Sequence, residues 1–175
     1  PGGSNIGEQI REILLSPANE KLSATSELLL YAASRAQHVR EIIVPALKNG
    51  KIVISDRFSD ATVAYQGYGR NLDLVLIYHL NQIATDGLAP DLTFLLNLPV
   101  EIGLQRASIS RGKLDRIERE SLEFHERVQN GYLAIAKEDT NRIKIIDATQ
   151  PIDVIFNEIW TILKVKISLI ICIPV

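Results

Sequence analysis

The 175-residue chain contains no methionine and only one cysteine, Cys172. A single cysteine excludes an internal disulfide and the disulfide frameworks of small secreted proteins, so we expect a reducing, cytoplasmic location. No apolar run reaches the roughly 18 residues that a membrane-spanning helix needs. The net charge of −2 gives no reason to expect nucleic acid or an anionic membrane as a partner. What remains is the ordinary composition of one globular domain.

The sequence also lacks the phosphate-binding pattern Gly-x-x-x-x-Gly-Lys-Ser/Thr, the P-loop. Its two Gly-Lys pairs are followed by Ile52 and Leu114, where the pattern requires a hydroxyl residue. The opening Pro-Gly-Gly is typical of the middle of a loop. Together with the missing methionine, this opening predicts a chain that is truncated at its amino terminus.

Segments of helical spacing alternate with short apolar runs along the chain. Such alternation predicts the α/β class with a doubly wound parallel sheet. The core would cover residues 1–166, and the apolar tail 167–175 would form an added edge strand, a dimer contact or an altered terminus. Helices are predicted at 4–15, 23–48 (bent at Pro45), 72–84, from 99, 120–137 and from 151 to about 166, and strands at 52–54, 92–98 and 142–147.

The predicted strand 52–54 ends in Asp56 and Arg57. Ligands of open α/β sheets bind beyond the carboxyl ends of the strands, where these two side chains would stand. Two interpretations stay open, because the pair is either a local ion pair or helix cap, or an arginine that holds a phosphate beside an aspartate that orients it or helps to hold a metal ion.

Two further segments have a structural interpretation. Tyr31 and Arg35 share one helix face, and this spacing by itself favours a core tyrosine with a solvated arginine. The charged segment 106–119 is either a solvated face or a flap whose arginines neutralise a transferred phosphoryl group. By contrast, the three histidines show no metal-ligand spacing, so no protein-bound metal is expected.

The motif Asp56-Arg57-Phe58, followed by Ala64-Tyr65-Gln66-Gly67, resembles the signature of bacterial thymidylate kinases, and the resemblance runs from residue 1 to about 153. Arg111-Gly-Lys-Leu-Asp-Arg116-Ile-Glu118 is similar to the lid of that family, here about 106–119. The stretch 147–151, Asp-Ala-Thr-Gln-Pro, is similar to the family's loop beside the adenine of ATP. Ala61 departs from the pattern, because the family usually has serine there.

This resemblance implies a P-loop nucleoside monophosphate kinase fold, truncated at its amino terminus. The implied reaction transfers the γ-phosphoryl group of ATP to thymidine monophosphate (dTMP), with Mg²⁺ bridging the phosphates, in a homodimer. Without the P-loop the chain as given is expected to be inactive. The alternatives are a catalytically dead nucleotide-binding or dimer-forming remnant, and a kinase of another nucleotide or nucleoside.

The resemblance also implies roles for individual residues. Tyr31 and Arg35 would recognise the base, Arg57 would hold the monophosphate, and Thr149 and Gln150 would bind ATP. The catalytic arginines would be Arg57, Arg111 and Arg116. The residues expected around dTMP are Tyr31, Arg35, Asp56, Arg57, Thr62, Tyr65, Gln66, Asp115 and Glu118.

Overall fold

A computed structural model describes residues 2–111 and 114–171, without the side chains of 110, 111 and 169–171. The described helices are α1 (Asn5–Leu15), α2 (Ala24–His38), α3 (Val44–Lys48), α4 (Ser59–Thr62), α5 (Leu74–Thr85), α6 (Val100–Arg111), α7 (Leu122–Glu138) and α8 (Ile152–Ile171), and the strands are β1 (Thr93–Asn97) and β2 (Ile143–Asp147). None of the helices in these ranges is long and apolar enough to cross a membrane.

The helices begin where the sequence offers a capping side chain. Ser4 accepts a hydrogen bond from the Gly7 amide at 3.0 Å, and Asp73 accepts one from the Val75 amide at 2.8 Å. Wider π-helical turns extend two helices, Val39–Ile43 after α2 and Val63–Gly69 after α4. The first of them leads into α3, whose first turn contains Pro45, so helical backbone continues through the predicted bend.

β1 and β2 pair in parallel, from Thr93 opposite Ile143 to Asn97 opposite Asp147. These are the only strands that pair within 2–111 and 114–171. The chain is therefore an α/β protein with parallel strands, as the alternation of helices and strands predicts.

The prediction of a buried strand at 52–54 is wrong. Residues 51–55 form no strand, and the side chains of Ile52 and Ile54 are 76% and 92% exposed. The β-branched run favours extended backbone, but a ladder needs a neighbouring strand to supply donors and acceptors. No such neighbour lies beside this segment within the described residues.

The predicted end of the last helix near 166 is also wrong, because α8 continues to Ile171. Residues 168–171 are therefore helical, which rules out the edge strand among the three alternatives for this part of the tail. The remainder of the predicted tail, 172–175, lies outside the described residues. Helical backbone hydrogen bonds form within one segment, whereas an edge strand requires a partner, so a β-prone run that follows a helix directly can extend it.

The core lies where the π-helical segment 63–69 packs against α7, with α2 and α5 beside it. Its buried members include Leu28, Ala64, Ile77, Phe124 and Val128. The two backbones approach closely at two glycines. A Cβ on Gly69 would lie 2.8 Å from the Phe124 ring, and a Cβ on Gly131 would lie 2.8 Å from Cβ of Tyr68.

We expect Gly131→Ala to lower the free energy of unfolding by about 1 to 3 kcal/mol, because the added methyl group meets the fixed base of the Tyr68 side chain. The matched control is Gly103→Ala in α6, where the nearest atom would be 3.7 Å away. This control should raise stability by up to about 1 kcal/mol, since alanine is the better helix former. Chemical denaturation of both variants measures the contrast, and equal effects would contradict the close approach.

Candidate functional site

A cavity of about 390 Å³ opens between α1, α2, the segment 54–58, the π-helical segment 63–69 and the turn 115–118. Its volume lies within the range of small-molecule sites. Every residue that the family resemblance predicts around dTMP lines this one cavity: Tyr31, Arg35, Asp56, Arg57, Thr62, Tyr65, Gln66, Asp115 and Glu118.

Arg35 is held in a fixed orientation at the cavity wall. Its Nη1 donates to Thr62 Oγ1 at 2.7 Å and to Asn81 Oδ1 at 3.1 Å, while Nη2 donates to the Phe58 carbonyl at 2.9 Å. Burial lowers the pKa of Arg35 to about 10, so the guanidinium stays charged at neutral pH. The fork is therefore a preorganised donor for a ligand carbonyl.

Tyr31 stands one turn before Arg35 on the same helix. Burial, and then the negative charge of Glu27, raise the pKa of Tyr31 to about 12. Its hydroxyl therefore remains protonated at neutral pH. The cavity wall then presents a neutral ring beside a cationic fork.

Arg57 lies at the rim of the cavity with an unusual backbone. Its φ angle is 66°, in the left-handed region that residues other than glycine seldom adopt. The Ser55 hydroxyl donates to the Arg57 carbonyl at 2.8 Å, and the guanidinium carbon lies 5.2 Å from the centre of the Tyr65 ring. The exposed side chain thus carries its charge over an aromatic face, at the cavity.

Gln66 belongs to a buried polar cluster that extends behind the cavity. Its Nε2 donates to Glu27 Oε1 at 2.8 Å, and Glu27 also accepts from Arg70 and from Arg116. Burial by itself would raise the pKa of Glu27, but the hydrogen bonds from Arg70, Gln66 and Arg116 outweigh it and leave the pKa below its usual value. Glu27 is therefore ionised at neutral pH.

Arg116 is one predicted catalytic residue that does not line the cavity. It is 6% exposed, and its guanidinium donates to Glu27 Oε2 at 2.6 Å and to the Leu14 carbonyl at 2.7 Å. Arg111 ends α6, and its side chain lies outside the described residues. Of the two predicted catalytic arginines whose side chains the structure describes, Arg57 lines the cavity and Arg116 does not.

Thr149 and Gln150 lie beyond the carboxyl end of β2 and do not line the cavity. Both side chains donate to Asp147, at 2.6 and 2.9 Å, and these hydrogen bonds hold the pKa of that carboxyl below its usual value. The strand-to-helix turn is thus internally hydrogen-bonded and exposed. Its role in binding ATP stays a prediction.

Sequence reasoning missed several residues that form or support the cavity. Asn81 fixes Arg35, and His125 lines the wall with a buried Nε2 that finds no hydrogen-bond partner among the described residues. Glu27 carried a detectable signal, because it precedes Tyr31 by four residues and Arg35 by eight and so shares their helix face. Asn81 and His125 lie in other helices, and no spacing rule links them to the site.

The sequence model of the family described as "Thymidylate kinase" matches residues 1–159. The chain belongs to the thymidylate kinase family. A thymidylate kinase of Lactobacillus acidophilus is 49% identical over 168 residues, which cover 95% of this chain and 78% of the relative. That of Geotalea daltonii is 55% identical over 159 residues, which cover 87% of this chain and 74% of the relative.

The same family supplies a similar solved structure. The crystal structure of thymidylate kinase from Ehrlichia chaffeensis matches with a TM-score of 0.71 and 33% sequence identity, over 93% of this chain and 76% of that one. The fold is thus that of a thymidylate kinase, a nucleoside monophosphate kinase of the α/β class.

Proposed function

We infer that the cavity binds dTMP and that the protein transfers the γ-phosphoryl group of ATP to it, giving thymidine diphosphate. The observation that carries this inference is the meeting of all the predicted dTMP residues in one cavity of ligand size. Membership of the thymidylate kinase family supports the same reaction.

The base end of the cavity offers groups that suit thymine. The Arg35 fork, fixed by Thr62 and Asn81, can donate to a ring carbonyl. The Tyr31 ring can stack on the base, and the carboxamide of Gln66 can bond to its edge. Together these groups position a flat ring with a polar edge at the inner wall.

Arg57 is proposed to hold the phosphate of dTMP at the rim. A guanidinium matches phosphate geometry with two parallel N–H donors, and its place over the Tyr65 ring orients the fork. Because phosphoryl transfer depends on positioning and charge neutralisation, holding the acceptor phosphate is itself catalytic. Arg111 and Arg116 are proposed to neutralise the transferred group, and Arg116 would have to leave Glu27 to do so.

The fit to Mg²⁺ and to ATP differs. Within the described ranges no cluster of three or more His, Cys, Asp or Glu side chains could form a metal cage. Mg²⁺ is usually held by one or two carboxylates together with substrate phosphates. The exposed Asp56 at the cavity could provide such a carboxylate. When bound, Mg²⁺ would neutralise charge on the phosphate oxygens. For ATP, Thr149 and Gln150 are the proposed contacts, while the 175 residues contain no P-loop pattern.

A competitive titration tests the nucleotide assignment, with the protein expressed from its complete gene. Thymidine monophosphate should bind more tightly than uridine or guanosine monophosphate, because the base groups suit a thymine edge. Equal affinity for the three nucleotides, or no binding, would refute the assignment. One alternative is a nucleotide-binding remnant without catalysis, and an enzyme-coupled assay for ADP on the same protein separates it from a kinase.

We also propose a cytoplasmic homodimer. Large apolar side chains are exposed on α2 and α5, where a second copy could cover them: Leu29, Val75, Leu76, Tyr78 and Ile83 are 51%, 62%, 46%, 45% and 76% exposed. A stable pairing of this kind would bury on the order of 2,000 Å². Light scattering at tens of micromolar should give twice the chain mass, Ile83→Lys should lower it, and a monomer would count against the proposal.

A further inference from the structure

Glu27 is a carboxylate in the first turn of α2, and the residue is fully buried. Four donors surround it. Gln66 Nε2 and Arg70 Nε donate to Oε1 at 2.8 and 3.1 Å, while Arg70 Nη2 and Arg116 Nη2 donate to Oε2 at 3.0 and 2.6 Å. Two guanidiniums compensate its charge, so the Gln66 amide is the one neutral donor of this set.

The ionised carboxylate determines how the Gln66 side chain is oriented. An ionised glutamate has acceptors only, so a carboxamide that faces it must present its NH₂ group. Gln66 is 2% exposed, and within the described residues its side chain makes no other hydrogen bond. The oxygen Oε1 of Gln66 is then the polar atom of this side chain that remains for a ligand in the cavity, which Gln66 lines.

We propose that Glu27 is a positioning residue that fixes the Gln66 carboxamide with its oxygen toward the nucleobase, and thereby contributes to the selection of a base that carries an N–H at that point. This inference rests on the proposed function. Gln66 Oε1 can accept from the ring N–H of a pyrimidine dione, and the Arg35 guanidinium can donate to the neighbouring ring carbonyl. A cytosine ring presents an acceptor nitrogen and an amino group there, so it meets like with like.

The test compares the dissociation constants of dTMP and 5-methyldeoxycytidine monophosphate, which differ only at that edge. Glu27→Gln gives residue 27 a carboxamide, which can either accept or donate a hydrogen bond. The Gln66 carboxamide can then rotate by about 180° and exchange its oxygen and nitrogen. The preference for dTMP should fall on the order of tenfold, about the value of one hydrogen bond to an uncharged partner. A purely structural role would change both constants by the same factor.

Two matched variants sharpen the comparison. Glu120→Gln removes another carboxylate that pairs with Arg70, at 2.7 Å, whereas the Gln66 amide donates to Glu27, so the preference should stay unchanged. Gln66→Leu should lower the preference, and adding Glu27→Gln to it should lower the preference no further. Additive losses in this cycle would overturn the proposal, because the two residues would then act independently.

Glu27→Asp keeps the negative charge beside the two arginines but has a shorter side chain that no longer reaches Gln66. The preference for dTMP should therefore fall in this variant too, which provides the test if Glu27→Gln does not fold. If the unchanged protein fails to bind dTMP, the proposed function fails. If that protein prefers dTMP while the Glu27 variants keep the full preference, only the present inference fails. If both variants unfold, NMR of the unchanged protein provides the test. The side-chain amide protons of Gln66 should exchange slowly with solvent, and their chemical shifts should change little when dTMP binds. Fast exchange with a large change in chemical shift would overturn the proposal.

Discussion

The 175 residues expressed on their own are expected to give no ATP-dependent phosphorylation of dTMP above background. Their sequence contains no P-loop pattern, so it lacks the backbone amides and the lysine that cradle the β- and γ-phosphates. Loss of a single preorganised donor of this kind typically lowers turnover by about a hundred- to a thousandfold. Losing the whole cradle should therefore lower turnover by at least about a thousandfold.

An enzyme-coupled ADP assay measures this loss, and the control is the same chain with a P-loop segment from a relative added before residue 1. Circular dichroism of both proteins shows whether the comparison is made between folded chains. The extended chain should recover turnover. Turnover by the 175 residues that matches a thymidylate kinase of full length would show that this chain holds ATP by other groups.

Arg57→Ala is expected to weaken dTMP binding by roughly 1.5 to 3 kcal/mol, the range for a hydrogen bond to a charged group, or about 10- to 150-fold in dissociation constant. The physical reason is the loss of a predicted catalytic arginine whose side chain lines the cavity. Isothermal titration calorimetry on the protein from the complete gene measures the change.

Two further variants control for charge and for geometry. Arg40→Ala removes an exposed arginine that does not line the cavity, so the dissociation constant should not change. Arg57→Lys keeps the charge but lacks the planar fork, and should recover only part of the loss. An unchanged affinity in Arg57→Ala would show that another group holds the phosphate.

Most of the helices and the two paired strands could be predicted from sequence because their signals are local. By contrast, α4 and the π-helical segment 63–69 lie where the sequence predicted no helix. Apolar spacing and the capping residues Ser4 and Asp73 placed α1 and α5 to within about two residues, as is usual for helix ends. The strands β1 and β2 followed from short apolar runs between turn residues. The motif around Arg57 then located the site through a family resemblance.

The elements that could not be predicted depend on partners far away in sequence. The run 52–54 has the composition of a buried strand, yet a strand exists only with a neighbour, and composition does not record one. The partners of Glu27 lie 43 residues away at Arg70 and 89 residues away at Arg116. In a charged segment, a buried arginine has the same sequence pattern as a solvated one, so the burial of Arg116 could not be predicted.

The left-handed backbone at Arg57 lowers the stability of the folded protein at a position whose side chain is proposed to bind the ligand. A side chain in this region typically costs roughly 1 to 2 kcal/mol, a penalty that glycine avoids. Arg57→Gly would therefore relieve strain while removing the guanidinium at the cavity rim. A laboratory screen that rewards only heat resistance would drift toward glycine or asparagine at this position, and the proteins it enriched would melt later while holding the nucleotide less tightly.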